Sequence, residues 1–149
     1  FRMQIKGPWS PERVHEHLAS AVIPLRLAYA SASAHPQLLS LWFVWREDAL
    51  WCATSSSARI VAMLAREPRC GFEVAPDAPP YHGVRGRGVA TLDPARGGEV
   101  LGLLVDRYLG TRESPFARWL LARAASEVAI RIEPSSLVSW DFRARMNAR

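Results

Sequence analysis

The chain predicts a mainly β protein, an antiparallel, Greek-key-like barrel of about six strands with helices packed outside it. Three observations carry this prediction. Pro24–Ala30 alternates Leu25, Leu27 and Tyr29 with Arg26 and Ala28, the period of two of a half-buried strand. Leu38–Arg46 and Ala49–Thr54 are apolar runs on either side of the polar pair Glu47-Asp48, which reads as an antiparallel hairpin. Glu127–Ile132 alternates again, and Leu137–Phe142 follows as the last strand. The 149 residues fit one domain, residues 1–149, with about 1–9 expected as a flexible N-terminal segment.

Taken in order, Ser10 is the expected N-cap of a short helix. Pro11 suits its first position, and Val14 and Leu18 stand one turn apart on its apolar face. His15 and His17, two apart, point away from each other and make no metal pair. Ser31–Gln37 is a small-residue turn between strands. Leu38–Arg46 is apolar on both faces, which predicts burial on both sides. Ser55-Ser56-Ser57 is expected to cap a helix over Ala58–Arg66, with Ile60, Val61, Leu64 and Ala65 on one face and Pro68 ending it. Cys70–Val74 is a strand, 77–80 a proline-rich loop, and Val84–Leu92 a longer strand whose glycines signal bending or close approach. A helical stretch runs from Asp93 to about Leu109 and stops at Gly110. Ser114-Pro115 opens another helix through Trp119 and Arg123.

Composition narrows the function classes. Apolar residues make up 49% and charged ones 22%, ordinary for a globular domain, and no run approaches the roughly 20 apolar residues of a membrane span. Phe1–Lys6 has neither the basic nor the apolar part of a secretory leader, and two unpaired cysteines fit a reducing cytoplasm, the expected compartment. Cys52 and Cys70 lie in apolar runs outside any Cys/His cluster, reading as buried free thiols with no metal site. The net charge of +5 is almost all arginine, with Lys6 the one lysine. The arginines are dispersed and not interleaved with aromatics, which argues against nucleic acid while leaving a field that steers phosphorylated ligands.

The informative unit is strand–turn–strand–helix over residues 38–74. Its second strand ends at Thr54-Ser55 and runs into three serines and Arg59, so hydroxyls, a helix N-terminus and a guanidinium converge on one anion site. Trp42 and Phe43 lie on a strand that a planar ring can pack against. The alternative for Trp42 and Trp45 is a place in the core or a dimer interface.

These segments, in this order, resemble the pyridoxamine-phosphate-oxidase-like flavin and deazaflavin oxidoreductases over roughly Glu12 to Phe142. The resemblance rests on LSLWFVWREDALWCATS, SSARIVAMLAREPRCGFEV, YHGVRGRGVATL and IEPSSLVSWDF. It implies an FMN-binding split barrel that dimerises, with two cofactor sites in the clefts between subunits. It places Ala53 and Thr54 at the cofactor phosphate, with Ser55 and Ser57 in the same turn. Arg59 matches the first of two adjacent basic residues; the second, commonly lysine, is Ile60 here. Leu41, Trp42, Phe43 and Val44 match the segment along the ring system, Gly83 stands where vitamin-oxidising members carry a glutamine facing the ring, and Trp140 matches a tryptophan near the cofactor. The tail that holds the vitamin phosphate is missing, since Arg143 and Arg145 do not form its pattern, and a true pyridoxamine-phosphate oxidase is rejected.

The expected function is therefore hydride transfer to or from a small molecule, with FMN or the deazaflavin coenzyme F-420 doing the chemistry and the protein supplying position and charge. The deazaflavin's longer polyanionic tail can draw on Arg46, Arg85 and Arg87. The alternative is a non-catalytic carrier of flavin, deazaflavin or haem. No catalytic residue is assigned: Tyr81, His82 and Arg85 are candidate proton donors, and the bland reading of Tyr81-His82 is an exposed loop. A homodimer is expected, both from the resemblance and from six tryptophans that crowd a small core.

Overall fold

A computed structural model describes residues 3–147. Helix α1 (Pro11–Ser20) starts as predicted, with the Ser10 hydroxyl accepting from the Arg13 N–H at 3.2 Å and Pro11 in the first turn. Val14 and Leu18 are wholly buried on its inner face. The segment before it differs from expectation. Strand β1 (Gln4–Lys6) pairs in parallel with residues 136–138, and Trp9 is buried. The tryptophan anchors this segment, its backbone N–H donating to Ser139 Oγ at 3.1 Å and its indole N–H to Asp141 at 3.0 Å. Phe1 and Arg2, which belong to the same expectation, lie outside the described residues.

The remaining strands are β2 (Leu25–Ala30), β3 (Pro36–Leu41), β4 (Val44–Arg46), β5 (Ala49–Ser55), β6 (Arg69–Val74), β7 (His82–Asp93) and β8 (Glu127–Asp141). They form one curled antiparallel sheet in the order β3-β2-β6-β7-β8-β5-β4, and β1 brings the sheet to eight strands rather than about six. Two further differences cancel in the count, since one run splits and two others merge. The run predicted as Leu38–Arg46 breaks at Trp42-Phe43 into β3 and β4. The two closing runs are joined, by contrast, into the single strand β8. Between them Pro134 pairs with Gly88 and Ser136 with Arg87, so Ser135 is a bulge, its hydroxyl donating to the Arg87 carbonyl at 3.2 Å.

The break is what closes the barrel. β3 and β4 are the two free edges of the sheet, yet only Trp42 and Phe43 separate them in sequence. From Leu41 to Val44 the chain can span at most about 11 Å, so the edges must meet. Phe43 plugs the seam from inside with no exposed surface. Around it the core gathers Leu25, Leu27, Leu50, Phe72, Ile130 and Ile132 from the strands, with Leu18 of α1.

Helix α2 (Arg59–Arg66) buries Ile60 and Leu64 in this core. Helix α3 (Gly97–Leu109) lies on the outer side of β5, where Val100 and Leu104 pack on Ala49, Trp51 and Ala129. It ends in the left-handed Gly110, φ 70°. Helix α4 (Pro115–Leu121) follows, capped by Ser114, and α5 (Arg143–Met146) ends the fold. Among the described residues no helix is long and apolar enough to cross a membrane. Both cysteines are buried as expected, and burial pushes the Cys70 thiol up to about 11.

Candidate functional site

The turn from β5 into α2 is the part of the predicted site that the fold assembles. β5 alternates, with Leu50 and Cys52 facing the barrel interior and Trp51 and Ala53 facing α3. By the same alternation Thr54 turns inward and Ser55 outward. Ser55 and Ser57 share a hydrogen bond between hydroxyls at 3.0 Å, and the Ser56 N–H donates to the Ser126 carbonyl at 2.9 Å. The serines do not cap the helix, as had been expected: its N-cap is Ala58, which offers no side-chain bond. The Ala58 N–H closes the turn on the Ser55 carbonyl, so the serine hydroxyls stay off the helix.

Arg59 is the first residue of α2 and is exposed. Among the described residues it makes no ion pair and no hydrogen bond. It borders a pocket of about 410 Å³ completed by Tyr29, Ser31, Ser33, Gln37 and Met63. Arg59, Met63 and Arg66 follow one another at helical spacing, and Arg66 donates to the Ala32 carbonyl at 3.4 Å, so the β2–β3 loop lies along this face of α2. Ser31, Ser33 and Gln37 escape the sequence reading because they form an ordinary small-residue turn. Only the barrel closure brings that turn to Arg59. Tyr29 also borders a larger, open groove of about 870 Å³ floored by Ala28 and Gly71 and flanked by Arg69 and Arg87.

A second residue that spacing does not reveal is Glu127. It stands opposite Ser55 in the β5–β8 register, and the residue is buried (8% exposed) while one carboxylate oxygen lacks a partner among the described residues. Burial pushes its carboxyl above the usual range, with Arg123 opposing the shift.

The other predicted residues lie elsewhere. Leu41 and Val44 are half-buried at the seam, packed against the main core and the α3 cluster respectively. Trp42 stacks on Tyr108 of α3 with centroids 4.8 Å apart and planes 3° from parallel. The Tyr108 hydroxyl donates to the Ile23 carbonyl at 2.8 Å and accepts from the Phe43 N–H at 3.2 Å. Burial raises the Tyr108 pKa, so the hydroxyl stays a donor. Trp42 and Phe43 are therefore seam residues. Phe43 is wholly buried, while Leu41, Trp42 and Val44 on either side of it keep some exposed surface. Trp45 packs on the core beside His15.

Gly83, the expected ring-side glycine, is tightly packed. A Cβ there would fall 2.5 Å from Ala75 Cβ and 2.9 Å from the Val74 carbonyl oxygen, so this position faces β6 and not an open cleft. Trp140 pairs with Gly83 and lies half-buried under the Arg85 guanidinium, 5.4 Å from its centroid. Of the three arginines considered for a polyanionic tail, Arg87 alone lines the groove, while Arg46 ends β4 at the hairpin turn. Thr54 pairs with Val128, and Trp140 is near the far end of the same strand. At roughly 3.3 Å per residue, about 40 Å of strand separates them.

In sequence the chain matches no protein-family model and no curated protein. Its fold is matched closely by solved structures. A conserved hypothetical protein from Mycobacterium tuberculosis superimposes with a TM-score of 0.76 at 21% identity, over 98% of this chain and 93% of that one. An F-420 reductase gives 0.69 at 24% identity, over 82% and 94%. HutZ, the haem storage protein of Vibrio cholerae, gives 0.63 at 16%, over 83% and 89%. The likeness is one of fold: this chain has the same curled, split β-barrel as these structures. Within the split barrel these neighbours differ in what they carry, so the likeness defines the scaffold and leaves the ligand to the residues of this chain.

Proposed function

We propose that the protein is an oxidoreductase that holds FMN or the deazaflavin coenzyme F-420 by its phosphate at the Thr54–Arg59 turn. One observation carries this reading: Arg59, unpaired among the described residues, faces a pocket edged by serine hydroxyls and lies next to two further hydroxyls in its own turn. An unpaired guanidinium among hydroxyls suits a phosphate, which it can grip in a bidentate, charge-assisted fashion. The neighbouring groove favours the deazaflavin, whose extended acidic tail can reach Arg87, the other groove arginine, Arg69, being paired with Glu67. Ile60, buried in the core where relatives by resemblance carry a second cation, weakens the grip on FMN and points the same way.

The bound cofactor supplies hydride transfer, and this chain supplies position and charge. Arg59, Ser55 and Ser57 fix the phosphate; Tyr29 walls the pocket between the turn and the groove. Trp140 and His82 lie at the end of β7–β8 remote from the turn, with Tyr81 just before β7, and about 40 Å of strand runs between. We therefore place them at the ring end of the site on a second copy, so that each site is shared by two subunits of a homodimer. The test is a titration with FMN and with the deazaflavin, followed by absorbance. A charge-assisted bond is worth roughly 1.5–3 kcal/mol, so Arg59→Ala should weaken binding by about tenfold to a hundredfold. Equal affinity in the variant would remove this turn as the phosphate site.

A further inference from the structure

At the opposite end of β7 from the phosphate turn, a small polar cavity of about 190 Å³ opens among Trp9, Arg13, His17, Ser20, His82 and Arg143. The rings of Trp9, His17 and His82 form its wall, with centroids 5.2 Å (Trp9–His17), 6.2 Å (Trp9–His82) and 6.3 Å (His17–His82) apart. Each histidine is held by a backbone carbonyl: His17 Nε2 donates to Val74 at 2.9 Å, and His82 Nδ1 donates to Pro80 at 2.9 Å. That fixes both rings and leaves His17 Nδ1 and His82 Nε2 without a partner among the described residues.

We propose that this corner is a proton-linked binding site for a compact oxyanion of the phosphate or sulfate type. The cationic edge comes from Arg13 and Arg143, which lie over the Trp9 ring at 4.5 Å and 5.9 Å from its centroid. Asp141 anchors both arginines, receiving the Nε of Arg143 at 3.0 Å and a terminal nitrogen of Arg13 at 3.4 Å, and it also takes the Trp9 indole N–H. Its acceptor capacity is thus used up, while the guanidiniums keep further N–H groups for a ligand. Glu16 at the rim is the other acid facing the cavity. With neutral imidazoles the corner carries two positive and two negative groups, and an anion gains little. A proton on His17 turns its free nitrogen into a third cationic donor.

The direction of the coupling follows from the surroundings. His17 is held below its ordinary 6.5, first by burial, with the Val74 carbonyl opposing and His82, Arg143 and Arg13 adding to the fall. A bound oxyanion reverses the balance by favouring the charged ring. Binding therefore takes up a proton near neutral pH, and affinity falls as pH rises, by up to about tenfold per unit for the single proton.

Inorganic sulfate is the suitable probe, because its own charge does not change over the range. Calorimetric titration of the full chain at about pH 5.5 and about pH 8 should show binding at least tenfold tighter at the lower value, with the His17 ring resonances shifting on addition. His17→Asn should flatten the pH dependence, and Arg59→Ala should leave it untouched, which separates this site from the proposed cofactor turn. Equal wild-type affinity at both pH values would overturn the proposal, as would sulfate binding that survives in His17→Asn and disappears in Arg59→Ala.

Discussion

At Gly83 an added methyl would overlap Ala75 and crowd the Val74 carbonyl, although its backbone is ordinary strand. The resemblance aligns this glycine with a ring-facing glutamine, but alignment carries no information about which way a Cβ would point. We predict that Gly83→Gln destabilises the fold by about 1–3 kcal/mol, the usual cost of overpacking, and confers no vitamin oxidation. Urea unfolding measures the first and product analysis the second; a stable, vitamin-oxidising variant would restore Gly83 to the cofactor cleft. Arg59 is the opposite case. Its position after a serine turn was legible because caps and anion sites share a residue signature. What the signature could not tell was that Ala58, and not a serine, would be the cap, so that the Ser55 and Ser57 hydroxyls bond each other and not the helix. Glu127 was illegible for a simpler reason: one acid at the start of an alternating strand announces nothing until its register partner, Ser55, is known.

At the scale of elements, alternation placed β2 and the hairpin pattern placed β5 close to where they lie, and the helix starts at Ser10 and Ser114 were read correctly. The failures came where the chain changes direction without turn residues. Leu41-Trp42-Phe43-Val44 is uniformly apolar, so it reads as continuous strand, yet it crosses from one sheet edge to the other. Pro134-Ser135-Ser136 has the composition of a turn but is accommodated as a bulge within one strand. The seam itself depends on a residue of α3 that no local pattern links to it, Tyr108. Its hydroxyl bridges Ile23 and Phe43, and its ring carries Trp42. We predict that Tyr108→Phe costs about 1–3 kcal/mol, because two buried backbone groups lose their partner while the stacking remains. Hydrogen exchange should show the amide of Phe43 losing protection first. Unchanged stability and protection would mean that the seam is held by packing alone.

For the whole molecule, the distribution of candidate residues along β8 is the organising fact. The phosphate turn is joined to the start of the strand and Trp140 is near its end. Among the described residues no helix lines the groove floored by Ala28 and Gly71, and Leu38 beside Ala28 is strongly exposed (78%), which suits a second copy. The shared-site account makes a demand that no single-chain site makes. In a mixed dimer of Arg59→Ala and Trp140→Ala subunits, one site receives both lesions and the other receives none. The most direct measurement is therefore a cofactor titration of that mixed dimer beside the two parent homodimers. The account predicts that both parents bind weakly and that the mixed dimer recovers wild-type affinity at one site per dimer. A mixed dimer that binds no better than its parents, or a protein that stays monomeric with cofactor bound, would contradict it.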